Sequence, residues 1–187
     1  MSDRKGERIR RWMLAGIWTG LIYSTLYIVR PVCEFLKQYA GFSFFVNAGI
    51  IFFGISIVLI FVKTKRMRRG STYALLFLVV AGYFLGMTLL PIPEERLHFV
   101  EYGVLAFLIY RALILDFRAG QSFLVAFAIT SLIGLGDEGI QYLLPNRYYQ
   151  LKDVCLNSAS AALGLALTYV MGRDQATDTR DNIHKML

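Results

Sequence analysis

Charge and cysteine are both scarce in this chain. Of its 187 residues, Asp, Glu, Lys and Arg make up 18%, where soluble domains carry about 25%. Hydrophobic residues make up 56%, which excludes disorder and argues against a soluble globular domain. Two cysteines exclude a disulfide-stapled secreted scaffold. Proline is rare, and Pro91, Pro93 and Pro145 fall in connections between apolar runs, where a missing N–H costs little. There is no internal repeat and no low-complexity linker. Only residues 174–187 read as a loose polar tail.

What is abundant is long apolar sequence. A helical membrane span needs about 20 mainly apolar residues. Six runs meet or approach this: 12–29, 42–62, 73–90, 97–115, 121–144 and 154–171. They predict an all-α fold, a polytopic transmembrane helical bundle of six spans. The chain divides into a basic two-span region (1–72), a membrane core (73–172) and a polar tail (173–187). The first run follows a basic stretch and could be misread as a signal peptide. Its length and the lack of a small-residue cleavage site predict an uncleaved span.

The net charge of +7 raises nucleic-acid binding, and the location of the charges argues against it. With the N-terminus inside, 15 of the 20 Lys and Arg residues fall on the cytoplasmic side, among them Arg4, Lys5, Arg8, Arg10 and Arg11, and Lys63, Lys65, Arg66, Arg68 and Arg69. Arg30, Lys37, Arg96, Arg147 and Lys152 fall outside. Such a bias sets orientation, and an even span count puts both termini in the cytoplasm. The basic excess then belongs to the leaflet surface, where anionic lipid attracts it.

The outer side holds a cluster of polar residues. Charges within spans are expensive and mark sites that face protein or water. His98 and Glu101 stand three apart at the start of the fourth run, on one helix face. Asp137, Glu138 and Gln141 stand late in the fifth, with Gln141 spaced to reach either acid. Sixteen residues from Gln121 place Asp137 roughly 24 Å up a core of about 30 Å. Asp153 opens the sixth run as an expected N-cap, with Asn157 four residues deeper on the same face. Arg147 lies in the loop between the fifth and sixth runs. These groups share one depth although they come from three spans and a loop. The sixth run is also rich in small residues, with Ser160 and Gly164 at a spacing that lets helices approach closely.

Several motifs in this region resemble the VanZ-like family of bacterial integral membrane proteins. They are His98-Phe99-x-Glu101-Tyr102-Gly103, Asp137-Glu138-x-x-Gln141, Pro145-x-Arg147 and Asp153-x-x-x-Asn157 with Gly164. The resemblance covers residues 91–171 and extends more loosely towards the N-terminus. It implies that His98, Asp137, Glu138, Gln141, Arg147, Asp153 and Asn157 are motif positions. It also implies a multi-pass protein of the bacterial cytoplasmic membrane with a link to teicoplanin-type glycopeptide susceptibility. Two departures stand out. Glu95-Arg96 replaces the family's frequent Asp-Lys, and Ser160 stands where a glycine is expected nearby.

Three functional classes remain open from the residues. The first is an outer-leaflet site for an envelope lipid or lipid-linked precursor, with Arg147, Lys152 and Arg96 at its rim suited to an anionic head group and Gln141, Asp153 and Asn157 contacting ligand. The second is an enzyme in which His98, Glu101, Asp137 and Glu138 act as acids and bases. No nucleophile motif supports it, and one His among carboxylates is a weak metal signature, so neither metal nor cofactor is expected. The third is a transporter, which would want charge near the midplane. The third run has none there. Each must be weighed against a purely structural cluster. Smaller features complete the reading. Cys33 and Cys155 fall near the outer face, residues 31–40 could lie along the membrane surface, Tyr142, Tyr148 and Tyr149 suit an outer aromatic belt, and Trp12 an inner one.

Overall fold

The computed structural model describes the backbone of residues 2–36, 41–63, 70–90, 93–143 and 150–186. It describes the side chains of 4–24, 35, 41, 44–45, 47–52, 54–56, 59, 70–90, 95–97, 99–143 and 150–172. Each apolar run forms the body of one helix. The six are α1 (Ser2–Leu36), α2 (Phe42–Lys63), α3 (Gly70–Thr88), α4 (Pro93–Leu113), α5 (Ala119–Leu143) and α6 (Leu151–Met186), and no strand occurs among the described residues.

Among the described residues, three of these are long and apolar enough to cross a membrane by length and composition: α3, α5 and the Leu151–Gly172 part of α6. The distribution of side chains fits an apolar surrounding. Phe44, Phe45, Phe52, Phe77, Phe84, Leu124 and Leu132 point outward, while Thr72, Ser122, Thr130, Asp137, Glu138, Asn157 and Ser160 are buried. This inverts the usual preference of soluble proteins.

α4 is the hub of the bundle. It touches α1, α2, α3, α5 and α6, and packs most extensively on α6. Phe99, Tyr102, Leu105, Ala106, Ile109, Ala112 and Leu113 bury nearly all their surface along it. A helix so enclosed by protein can carry Glu101 and Arg111 without presenting them to lipid on every side. The α4–α6 seam is closed by small residues. A Cβ at Gly164 would stand 2.7 Å from both the carbonyl carbon and the Cα of Gly103, so only glycine fits there. Fully buried Ser160, one turn earlier, donates its hydroxyl to the Phe99 carbonyl.

The chain direction sorts the helix ends into two groups. At one end the start of α1 meets the end of α4 and the turn into α5. Arg4 Nη2 donates to the Leu115 carbonyl at 2.5 Å and Arg11 Nη1 to the Arg111 carbonyl at 2.5 Å. Arg8 lies 3.6 Å from Asp116. These cations meet the carbonyls that a helix C-terminus leaves over, and they complement its dipole. The start of α3 joins the same end, where Leu76 packs against Val170 of α6. At the other end the starts of α4 and α6 meet the end of α5.

Two expectations change. Residues 31–36 continue α1 rather than beginning a separate surface piece, and 37–40 lie outside the described residues. In an apolar surrounding, breaking the helix at Pro31 would leave further peptide groups unpaired. The polar tail is helical to Met186. After Gly172 it contains neither glycine nor proline to stop it.

Candidate functional site

α5 presents a stripe of buried residues to α4 and α6: Ser122, Ala126, Thr130, Gly134, Asp137, Glu138 and Gln141. The spacings of three and four keep them on one helix face. The stripe is small and weakly polar along most of its length and becomes acidic in its last two turns. Asp137 is 0% exposed and Glu138 1%. Carboxylates this deep require hydrogen-bond partners.

The partners come from α4, α5 and the residue just before α6. Tyr102 of α4, also fully buried, donates its hydroxyl to Asp137 Oδ2 at 3.1 Å. Gln141 Nε2 donates to Glu138 Oε1 at 3.2 Å, and the backbone N–H of Gln150 donates to Glu138 Oε2 at 3.3 Å. Gln141 therefore pairs with Glu138, the nearer of the two acids allowed by its spacing. Glu138 also ties the end of α5 to the residue that precedes α6.

Asn157 lies two turns into α6 and is 3% exposed. It packs where Gly134 brings α5 against α4 and α6. A Cβ at Gly134 would stand 3.0 Å from Asn157 Cβ, 3.4 Å from Asn157 Nδ2 and 3.3 Å from Tyr102 Cε1. The Nδ2 group has no hydrogen-bond partner among the described residues.

The remaining expected positions are placed less completely. Glu101 is half-buried on α4, and its backbone carbonyl accepts the Trp18 indole N–H at 3.0 Å. Asp153 is half-buried in the first turn of α6. It is not the N-cap, because α6 begins at Leu151; as an acid in the first turn it still complements the helix dipole. The His98 backbone belongs to α4, but its side chain lies outside the described residues, as does the whole of Arg147. Arg96 differs from its expected place on the rim. Its Nε donates to the Leu90 carbonyl at 2.8 Å and its Nη1 to Asn47 Oδ1 at 2.6 Å, so it fastens α2 and the α3–α4 connection. Cys155 is a free, exposed thiol, and the side chain of Cys33 is outside the described residues.

A family model described as VanZ/LLP1 matches residues 19–172. The chain belongs to the VanZ/LLP1 family. Neither curated proteins nor solved structures yield a match. The VanZ match takes in the later part of α1 and every residue of the acidic end. It leaves out the arginines that grip the α4–α5 turn and the polar extension of α6. Membership and the three apolar helices make this a membrane protein of the VanZ type.

Three residues that support this region are absent from the expected site. Tyr102 is the important one, because it holds Asp137. Tyr102 falls four residues after His98, so helical spacing alone puts it on the same face as His98. Trp18 and Tyr23 of α1 are the others. Tyr23 donates to the Ile133 carbonyl at 2.9 Å, one residue before Gly134. No sequence signal links α1 to this region, since the contacts span 83 and 110 residues.

Proposed function

We propose that this VanZ-family chain is a six-span protein of the bacterial cytoplasmic membrane with both termini inside. Its acidic end opens at the outer face and binds a cell-envelope lipid or lipid-linked precursor, and through it the protein alters teicoplanin-type glycopeptide susceptibility. The observation that carries this reading is the complete burial of Asp137 and Glu138 side by side, held by groups from α4, α5 and the start of α6. Two adjacent carboxylates are a costly way to dock helices that small residues already join. In this reading His98, Glu101, Asp137 and Glu138 act on the ligand's polar groups, Gln141, Asp153 and Asn157 contact it, and Arg147 takes its anionic part.

Orientation rests on the Lys and Arg bias together with the sorting of helix ends, which sets Arg4, Arg8, Arg11 and Arg111 opposite the acids. In a protein with Cys33 and Cys155 replaced by serine, Met67→Cys is expected to be shielded from an impermeant external thiol label and Tyr148→Cys to react. The reverse pattern would move the acidic end to the cytoplasm.

The site itself is tested by Glu138→Gln, which keeps the side chain's shape and removes its charge. This variant is expected to accumulate near the normal level and lose the glycopeptide phenotype. Full activity would remove the Glu138 carboxylate from the site's chemistry. Failure to accumulate would make the carboxylate a brace between α5 and α6. Mass spectrometry of lipid co-purifying with the protein is expected to show its loss in Arg147→Ala.

A further inference from the structure

The deepest part of the acidic end has a chemistry of its own. It lies about 9 Å along α6 from Leu151, at 1.5 Å per residue. Three elements meet there because Gly134 has no side chain: the Tyr102 ring edge from α4, Asp137 one turn along α5, and Asn157 from α6. The Tyr102 hydroxyl donates to Asp137, which fixes that carboxyl oxygen as an acceptor. Asn157 Nδ2 is a donor for which the described protein offers no acceptor. A buried donor left without one costs about 1–3 kcal/mol. The penalty is not relieved by lipid tails, which carry no acceptor.

We propose that this spot is the innermost subsite of the lipid site, and that it takes an alcohol hydroxyl of a polyol or sugar head group. The inference rests on the proposed lipid-binding reading and names the part of the ligand that reaches furthest in. A hydroxyl both accepts and donates, so it can accept from Asn157 Nδ2 while donating towards Asp137. A phosphate only accepts, and it would bring further negative charge beside Asp137 and Glu138. The phosphate therefore stays outside this subsite, and the hydroxyl-bearing part goes in first.

Two lipid probes separate the parts. Phosphatidylglycerol and phosphatidylethanol carry the same phosphodiester charge and differ in the two glycerol hydroxyls. Their binding to the detergent-purified full chain is measured by native mass spectrometry or by competition. The unaltered protein is expected to prefer phosphatidylglycerol by about tenfold, the size of one buried hydrogen bond. Asn157→Ala is expected to bring its affinity down to that for phosphatidylethanol, leaving the latter unchanged. Arg147→Ala is expected to weaken both lipids equally. Equal binding of the two lipids by the unaltered protein, still dependent on Arg147, overturns the hydroxyl subsite and leaves the lipid site standing. So does a preference that Asn157→Ala retains, since water alone then satisfies the amide. Absence of Arg147-dependent binding for either lipid overturns both readings. The comparison within the unaltered protein decides the matter even if Asn157→Ala fails to accumulate.

Discussion

The two ends of the bundle handle charge in opposite ways. At the basic end, Arg4, Arg8 and Arg10 are exposed and Arg11 is half-buried, and they pair with Glu7, Asp116 and helix-end carbonyls. Such contacts form in contact with water and the lipid head groups, and each is worth little. At the acidic end, Asp137 and Glu138 are removed from solvent, and the Tyr102 hydroxyl, the Gln141 amide and the Gln150 N–H that reach them are neutral donors. Charge at the first end can be exchanged cheaply. Charge at the second end is expensive, and its geometry depends on three helices at once. Small residues already close the helix seam beside it.

The largest expected effect breaks what both ends share. Gly164→Leu would drive a side chain into the Gly103 backbone, which cannot move aside without parting α4 from α6. Overpacking usually costs about 1–3 kcal/mol, more where backbone must shift, and this variant is expected not to accumulate in membranes. Normal accumulation would show that the α4–α6 seam is not what positions the acids.

Next in size is the contrast between Asp137→Ala and Arg8→Ala. Asp137→Ala leaves the buried Tyr102 hydroxyl without its acceptor, at about 1–3 kcal/mol. Arg8→Ala removes an exposed pair worth at most about 1 kcal/mol. Thermal denaturation in detergent should separate the two clearly, and 1 M salt should shrink only the Arg8 effect. Comparable losses would erase the distinction between the ends. Tyr102→Phe should fall between them, at about 1 kcal/mol. Unlike Arg8→Ala, it should also reduce the envelope phenotype, because it frees Asp137 to turn.

The smallest effect concerns pH. Arg11, and then Arg10, hold the Glu7 carboxyl below its ordinary value of 4.5. A lowered carboxyl stabilises the fold above its ordinary value and loses that contribution as pH falls through the depressed one. Glu7→Gln should therefore be slightly less stable than the unaltered protein at pH 7, a difference that shrinks as pH falls below 4.5 and that salt removes. A Glu7→Gln effect as large as that of Asp137→Ala would mean that the basic end is also a tightly built site.

Much of the architecture was legible in advance, for a simple reason. Long apolar runs become helices in lipid because each peptide group must be satisfied within its own segment, so run boundaries are helix boundaries to within a few residues. Asp137, Glu138, Gln141 and Asn157 were legible as neighbours because helical spacing and depth are one-dimensional quantities. Tyr102 was not, since an aromatic in an apolar run reads as packing until its hydroxyl is seen to meet a carboxylate on another helix. Arg96 looked like a free cation at the rim because nothing in its surroundings announces Asn47, 49 residues away.

The sequence by itself determined the apolar solvent of this protein, its helical class, the separation of basic and acidic ends, and its family. All of these follow from composition and local periodicity. Only the tertiary structure decided which acid takes which partner, that α4 is the hub, that α1 reaches the carbonyls of Glu101 and Ile133, and that Asn157 is left with a donor to fill. Those outcomes depend on how helices rotate about their axes and how closely they approach. Here that was set by Gly103, Gly134 and Gly164, where the missing side chains leave room for a facing backbone or side chain.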